Sequence, residues 1–207
     1  MANVTKKIAT VLGLCASLYT FQSHAAFVEN TTGLAAPIST ETFNTNAGSG
    51  TAAASQFSGL TFGSGNFVSN SYGGAFPNMS GSVIANFDNN SIITTPTFIN
   101  FSTSESDVAF AYVSNPGTTT FSSFLGGTLV ESATVGTGYD GHFFGFINSA
   151  FDSIRIDSSN VNNAYILDNL QLGASASVPE PASIALLGLG LFGFAASRRK
   201  SAKSKSA

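Results

Sequence analysis

The sequence predicts an all-β ectodomain, a jelly-roll-like β-sandwich, flanked by an N-terminal signal helix and a single C-terminal transmembrane helix. Short alternations of apolar and polar residues recur along the middle of the chain, which shows no helical periodicity of useful length. Turn-forming groups separate them at intervals of about ten residues, a spacing typical of sandwiches. Each end instead carries an unbroken apolar run beside basic residues. We therefore expect three segments, residues 1–25, 26–174 and 175–207.

The first segment is predicted to be a signal peptide. A charged start, MANVTKK, precedes the apolar stretch IATVLGLCASLYTF and the small-residue exit QSHAAF, the order found in secretory signals. Cleavage between Ala25 and Ala26 fits best. The alternative, a buried N-terminal helix, fits less well because the apolar run is short and lysines precede it. Secretion implies the Sec translocon and signal peptidase as partners, and cleavage removes Cys15, the only cysteine.

The middle segment is predicted to be the sandwich. Strand alternations cover Val83–Phe87, Val108–Tyr112 and Ile154–Ile156. Turn signals lie between them, at residues 72–74, 88–90, 115–117, 126–127 and 158–160. The small polar run Thr45–Ala54 is predicted to be a flexible loop. Because the chain has 19 phenylalanines and no tryptophan, we expect a phenylalanine-rich core.

Charge is divided unevenly along the chain. Between Ala26 and Val178 there are ten acidic residues and one basic residue, Arg155, which gives a net charge of −9. Such a body repels phosphate backbones, so we expect no nucleic-acid partner. The other seven basic residues lie near the two ends, where membrane topology explains them.

We expect no enzyme activity and assign no catalytic residue. His142 is the only histidine beyond the signal peptide, and Asp140 would share its face in a strand. Asp140-Gly141 is equally typical of a turn. No Gly-x-Ser-x-Gly elbow is present, and one histidine without cysteine cannot fill a zinc shell.

Calcium needs only oxygen ligands, and the middle segment is rich in them. Asp168 would share a strand face with Ile166, Leu170 and Leu172, which is costly for a carboxylate without a partner. We predict Asp168 as a calcium ligand, with Glu41 as its partner. The alternative is that Asp168 accepts backbone N–H bonds at a strand end. No other cofactor is expected.

Sugar binding usually uses exposed aromatic rings. Because the chain has no tryptophan, tyrosine would have to provide them. Beyond the signal peptide the tyrosines are Tyr72, Tyr112, Tyr139 and Tyr165. Tyr72 and Tyr139 lie in glycine-rich, turn-like contexts and are the better candidates. The alternative for each is packing in the core or at its rim.

The C-terminal segment is predicted to contain a membrane helix at residues 182–197, followed by a basic cytoplasmic end at 198–207. Arg198, Arg199 and Lys200 form the stop-transfer group. A plain anchor explains these features but leaves the triplet Pro179-Glu180-Pro181 unexplained.

The order of this triplet, an apolar helix and a basic cluster resembles the PEP-CTERM sorting signal of Gram-negative bacteria. That resemblance implies recognition by an integral-membrane processing enzyme, an exosortase, and association with exopolysaccharide and biofilm or floc matrix. The stretch Gly141–Gly173 is also similar to the last strands of many such proteins. There, a Phe-Phe-Gly turn precedes an isoleucine-rich strand, and an Asp-Asn-Leu strand ends the domain.

Together these features predict a non-enzymatic protein that is exported through the inner membrane, held there transiently by its C-terminal anchor, and then released to the cell surface or beyond. We expect it to associate with exopolysaccharide. The alternative is a carbohydrate-binding or carbohydrate-active jelly roll with a specific glycan ligand.

Overall fold

The computed structural model describes residues 25–173, except residues 45–52, 54–56, 64 and 88–95. Most of the predicted signal peptide, the sorting triplet, the predicted membrane helix and nearly all of the predicted Thr45–Ala54 loop lie outside the described residues. Among those described, no helix has the length and apolarity needed to cross a membrane.

The regular elements of the described residues are β-strands, and a short turn at Val161–Asn163 has positive φ at Asn162 and Asn163. The strands are β1 (Ala26–Asn30), β2 (Ser39–Glu41), β3 (Leu60–Phe62), β4 (Phe67–Ser69), β5 (Val83–Ala85), β6 (Thr97–Glu105), β7 (Val108–Ser114), β8 (Gly117–Leu125), β9 (Thr128–Thr137), β10 (Phe143–Ile147), β11 (Phe151–Ser158) and β12 (Tyr165–Leu172).

These strands pair into two antiparallel sheets. The seven-stranded sheet has the order β1-β10-β7-β12-β5-β4, with β2 also paired to β12. The five-stranded sheet has the order β3-β6-β11-β8-β9. The all-β class is confirmed, and the two sheets are those of a β-sandwich. The strands predicted from the alternations correspond to β5, β7 and β11.

The core between the sheets is rich in phenylalanine, as predicted. Phe121 of the five-stranded sheet stacks on Phe144 of the seven-stranded sheet, with ring centroids 5.0 Å apart. Tyr112 meets the edge of the Phe121 ring at 5.2 Å. Such offset and edge-to-face contacts are favourable beyond the area they bury, so this aromatic layer joins the two sheets.

A second apolar cluster lies on the other face of the seven-stranded sheet. Along β7, Val108, Phe110 and Tyr112 belong to the inter-sheet core, whereas Ala109, Ala111 and Val113 belong to this second cluster. Because successive strand residues point to opposite faces, β7 is buried on both sides. The outer face of β7 is covered by residues that come before and after β5. These residues are Tyr72, Phe76, Met79 and Phe87.

The predicted Phe-Phe-Gly turn is wrong, because Phe143, Phe144 and Gly145 lie within strand β10. Gly145 sits where a Cβ atom would collide with the backbone of β7 at Val108. The glycine therefore permits close strand approach and does not mark a chain reversal.

Strand β12 contains a bulge that sequence alternation does not foresee. Its register against β7 shifts between Asp168 and Gln171, and Asn169 has a φ of 48°. The extra residue reverses which face the later side chains occupy. Ile166 lies in the second cluster, whereas Leu170 lies in the inter-sheet core. The expectation that Asp168 shares a face with Leu170 and Leu172 is therefore wrong.

Candidate functional sites: an aromatic cleft and a buried carboxylate

An aromatic cleft opens beside the covered face of the seven-stranded sheet. Its volume is about 260 Å³. This volume lies just below the range of about 300–1,000 Å³ that is usual for small-molecule sites. The residues that line it are Tyr72, Phe76, Phe87, Val113, Ser114, Asn115, Tyr139, Ala164, Tyr165 and Ile166.

Four segments among the described residues build this cleft. Strands β7 and β12 contribute Val113 and Ile166 from the second cluster. The segment around β5 contributes Tyr72, Phe76 and Phe87, and the connection between β9 and β10 contributes Tyr139. The walls are thus loop residues, while the base belongs to paired strands.

The four aromatic rings of the walls form two packed pairs. Phe76 and Tyr139 stack with centroids 5.8 Å apart and planes inclined by 12°. Tyr72 and Phe87 meet edge to face at 5.5 Å. The Tyr139 hydroxyl also donates a 2.8 Å hydrogen bond to Asn115 Oδ1. Tyr139 is therefore fixed at its ring and at its hydroxyl, although 51% of it is exposed.

The two loops that carry these rings are fastened to each other. Asn78 Nδ2 donates to the Gly141 carbonyl oxygen at 2.9 Å, and Asn169 Nδ2 donates to the Asn78 carbonyl oxygen at 2.8 Å. Gly141 has a φ of +64°, and a Cβ there would collide with the Pro77 carbonyl oxygen. Only glycine allows this approach without strain. The backbone of Gly141 therefore brings the two loops of the cleft together.

Of the four tyrosines considered from the sequence, the structure brings Tyr72 and Tyr139 to one cleft. Tyr112 and Tyr165 are buried in the inter-sheet core, although part of Tyr165 reaches the cleft. Burial raises the pKa of Tyr112 to about 12 and that of Tyr165 still further. The Tyr165 hydroxyl bonds to the Thr97 hydroxyl and donates to Asn66 Oδ1.

Sequence reasoning missed Phe76 and Phe87 as site residues. Phe76 lies among glycine, proline and asparagine residues, and Phe87 ends the short alternation Val83–Phe87, directly before Asp88-Asn89-Asn90. An apolar aromatic residue in such a segment must find cover, and that signal was available before the fold was known.

The second candidate site is Asp168, whose carboxylate is fully buried on the covered face of β12. The Ser80 N–H donates to Oδ2 at 2.7 Å, and the Asn169 N–H donates to Oδ1 at 2.6 Å. Burial raises the pKa of Asp168 to about 6, these N–H groups oppose the rise, and the negative charge of Glu41 adds to it. The backbone N–H bonds are those foreseen by the alternative to calcium.

Glu41 lies on β2 opposite Leu170, and its Oε1 accepts a 2.9 Å bond from the Phe43 N–H. Within the described ranges, no group of three or more histidine, cysteine, aspartate or glutamate side chains is placed to hold a metal. Calcium bound by Asp168 and Glu41 stays a prediction.

The remaining charged groups considered from the sequence form local pairs. His142 Nδ1 lies 3.5 Å from Asp140 Oδ2, in the connection between β9 and β10 and not in a strand. Arg155 donates to Asp157 Oδ2 at 2.7 Å, two residues along the same strand. Arg155 is thus engaged on β11 by a neighbour on that strand.

Residues 177–200 match the family model of the PEP-CTERM protein-sorting motif. This region contains the triplet Pro179-Glu180-Pro181, so the recognition of the motif from the sequence is confirmed. The motif is typical of exported proteins that are processed at a membrane. More specifically, residues 177–200 of this chain carry a PEP-CTERM sorting motif. The motif implies a C-terminal membrane anchor before cleavage and processing by an exosortase, which is a membrane enzyme.

No curated protein sequence matches the chain. Among solved structures, a similar one is that of the CBM22-1-GH10 modules of the N-terminal endo-1,4-β-D-xylanase 10B from Clostridium thermocellum, complexed with xylohexaose. The TM-score is 0.40 at 13% identity, over 69% of this chain and 29% of that chain. A likeness of this degree supports no statement about ligand or activity.

Proposed function

We propose that the chain is a non-enzymatic protein whose β-sandwich is exported, sorted through the C-terminal motif and delivered to the cell surface or the exopolysaccharide matrix. The observation that carries the proposal is the sorting motif at residues 177–200. The strand limits agree with it, because β1 begins at Ala26 and β12 ends at Leu172. Cleavage after Ala25 and near the triplet would therefore leave every described strand whole.

The residues of the motif suit an address that is read and then removed. Hydrocarbon excludes the charge of Glu180, so this residue belongs at the outer membrane surface, before the helix predicted at 182–197. Pro179 and Pro181 lack a backbone N–H and disfavour a helix before them, so we expect the triplet to be extended. Arg198, Arg199 and Lys200 would hold the other end inside and so set the depth of the triplet. An exosortase would therefore meet an accessible segment at a fixed height.

The sandwich itself suits a hydrated polymer. On the outer face of the five-stranded sheet, hydroxyl pairs Thr120–Thr134 and Ser122–Ser132 link β8 to β9 at 2.7 and 2.8 Å. Consecutive strands from β6 to β8, and again from β9 to β12, alternate between the two sheets. This alternation favours the jelly-roll-like connectivity that the sequence predicted.

The test is the location of the protein in an exopolysaccharide-producing host. We expect the full chain in the matrix fraction, and a variant with alanine at positions 179, 180 and 181 in the inner-membrane fraction. The matched control replaces Lys203 and Lys205 with alanine, which alters the basic end but keeps the triplet. Equal delivery of the triplet variant and the control would contradict the proposal.

Carbohydrate binding is the second candidate function, and the aromatic cleft is the observation that favours it. The described residues that line the cleft include no acidic side chain. Glycoside hydrolysis needs two carboxylates across the bond to be broken, so this cleft favours binding over hydrolysis. Selective binding on a glycan array would support this candidate function. An array on which no glycan binds would contradict it, and matrix association would then not depend on a glycan ligand.

A further inference from the structure

We propose that the aromatic cleft binds an uncharged sugar ring of a glycan and that Tyr139 is the platform on which the ring stacks. The proposal rests on the second candidate function and names its site and ligand class. Its basis is the chemistry of the cleft wall, the fixed position of Tyr139 and the attachment of the two loops.

The lining of the cleft selects for a neutral ligand. None of its described residues is aspartate, glutamate, lysine, arginine or histidine. An anionic ligand would find no cation there and would approach a body of net charge −9. A quaternary ammonium ion could use the aromatic rings, but the described part of the lining has no carboxylate to complement its charge.

The cleft also combines the two kinds of contact that a sugar ring needs. Flat aromatic surface suits the C–H face of the ring, and Tyr139 is the most exposed aromatic residue of the lining. The polar side chain beside it is that of Asn115, whose Oδ1 accepts a hydrogen bond from the Tyr139 hydroxyl. The buried Ser114 holds Asn115 in place by donating its Oγ to the Asn115 carbonyl oxygen at 2.9 Å. Ring hydroxyls of the ligand can thus be met at the edge of the platform.

Tyr139 is positioned before any ligand arrives. Stacking on Phe76 and the bond to Asn115 restrict its two side-chain torsions. The Asn78 bond to Gly141 ties the loop of Phe76 to the loop of Tyr139. A wall that is ordered in advance loses less conformational entropy on binding, which favours affinity.

The test is binding of the full chain to immobilised neutral glycans ending in glucose, galactose, mannose or rhamnose, with uronate-containing glycans and choline immobilised alongside them, in a detergent that carries no sugar. We expect binding to one of these, and Tyr139→Ala to weaken it about tenfold, the loss expected for one stacked ring. Tyr139→Phe keeps the ring and should retain most of the affinity. Leu129→Ala is the matched control, because Leu129 is 55% exposed on β9 and lies outside the cleft lining.

Three results would overturn the proposal. Glycan binding that Tyr139→Ala leaves unchanged would place the sugar elsewhere, while carbohydrate binding as a function would stand. Binding only to uronate-containing glycans, or only to choline, would make the neutral ligand class wrong. Blank arrays for the wild-type chain would reject both this site and the second candidate function.

Discussion

The two sheets of the sandwich differ in what covers their outer faces. In the five-stranded sheet, β11 alternates between buried residues such as Ile154 and half-buried polar residues such as Arg155. In the seven-stranded sheet, every residue of β7 is buried. The difference lies in Tyr72, Phe76, Met79 and Phe87, which come before and after β5 and pack on the outer face of the seven-stranded sheet.

That cover explains why both candidate sites lie on the same sheet. Loop residues that pack on a strand face can enclose a cleft, and the aromatic side chains of these residues line the cleft described above. The same cover takes Asp168 out of water, because the backbone of Ser80 closes over its carboxylate. The outer face of the other sheet presents hydroxyl groups to solvent, such as those of Thr120 and Thr134.

The largest contrast should appear when a core ring and an open-face residue of β8 are each cut to alanine. Phe121→Ala should lower the free energy of unfolding by about 3–5 kcal/mol, because Phe121 is fully buried among aromatic rings. Thr120→Ala, the adjacent residue on the open face, should cost about 0.5 kcal/mol or less. Urea unfolding measures both, and similar losses would contradict the assignment of faces.

The next contrast compares two glycines with positive φ. Gly141→Ala should cost about 2–4 kcal/mol, because backbone strain adds to the collision with the Pro77 carbonyl oxygen. Gly126→Ala should cost only about 1 kcal/mol, since a Cβ at that hairpin position meets nothing within 4 Å. Thermal unfolding of the two variants gives the comparison. A smaller loss at Gly141 would mean that the two loops are not in contact there.

Asp168 should make stability depend on pH in a direction opposite to that of a salt-bridged carboxylate. Its pKa is about 6 in the fold and 3.8 in the unfolded reference, so the folded state binds the proton more tightly. The stabilisation is fully present below pH 3.8 and is lost as pH rises through about 6, a change of about 2–3 kcal/mol.

Asp168→Asn separates this effect from the titration of other groups. The variant lacks one hydrogen-bond acceptor at every pH, so its absolute stability does not isolate the titration of Asp168. The informative quantity is the change of its free energy of unfolding between pH 4 and 7. We expect the difference between wild type and variant to change across this interval, measured by urea unfolding. Parallel curves would show that Asp168 does not carry the dependence.

The smallest effect that we predict is the stabilisation of the fold by calcium. An ion bound only by the fold, at about ten times its Kd, adds about 1.4 kcal/mol and raises Tm by about 4 °C. The rise should appear in the wild type and be absent from Asp168→Asn. Equal melting temperatures in calcium and in chelator would end the calcium prediction, and Asp168 would then be held by its backbone bonds alone.

Sequence patterns predict the strands well wherever alternation is clear. Ile154 and Ile156 alternate with polar residues and lie on β11, whose outer face is open. In β7 the intervening residues are Ala109 and Ala111, small and apolar, and the absence of polar residues was the available sign of a second cover. The segment that provides this cover has no periodicity that would reveal its position.

The candidate sites were predictable only in part, for reasons of backbone geometry. Tyr72 and Tyr139 could be chosen from their turn-like contexts, but their meeting depends on the approach of Pro77 to Gly141. The surroundings of Asp168 depend on the bulge at Asn169, which takes a positive φ. Asparagine tolerates that conformation but does not require it, so the change of face could not be inferred from the sequence.

The intact mass of the extracellular protein is the most direct test of the central claim, that the sandwich is delivered by an address which is then removed. With the host's exosortase present, we predict a form that begins at Ala26 and lacks Arg198–Ala207. Without the enzyme, the cell-associated form should keep the basic end. A surface form that still carries Arg198–Ala207 when the exosortase is present would contradict the account, because the C-terminal segment would then act only as an anchor.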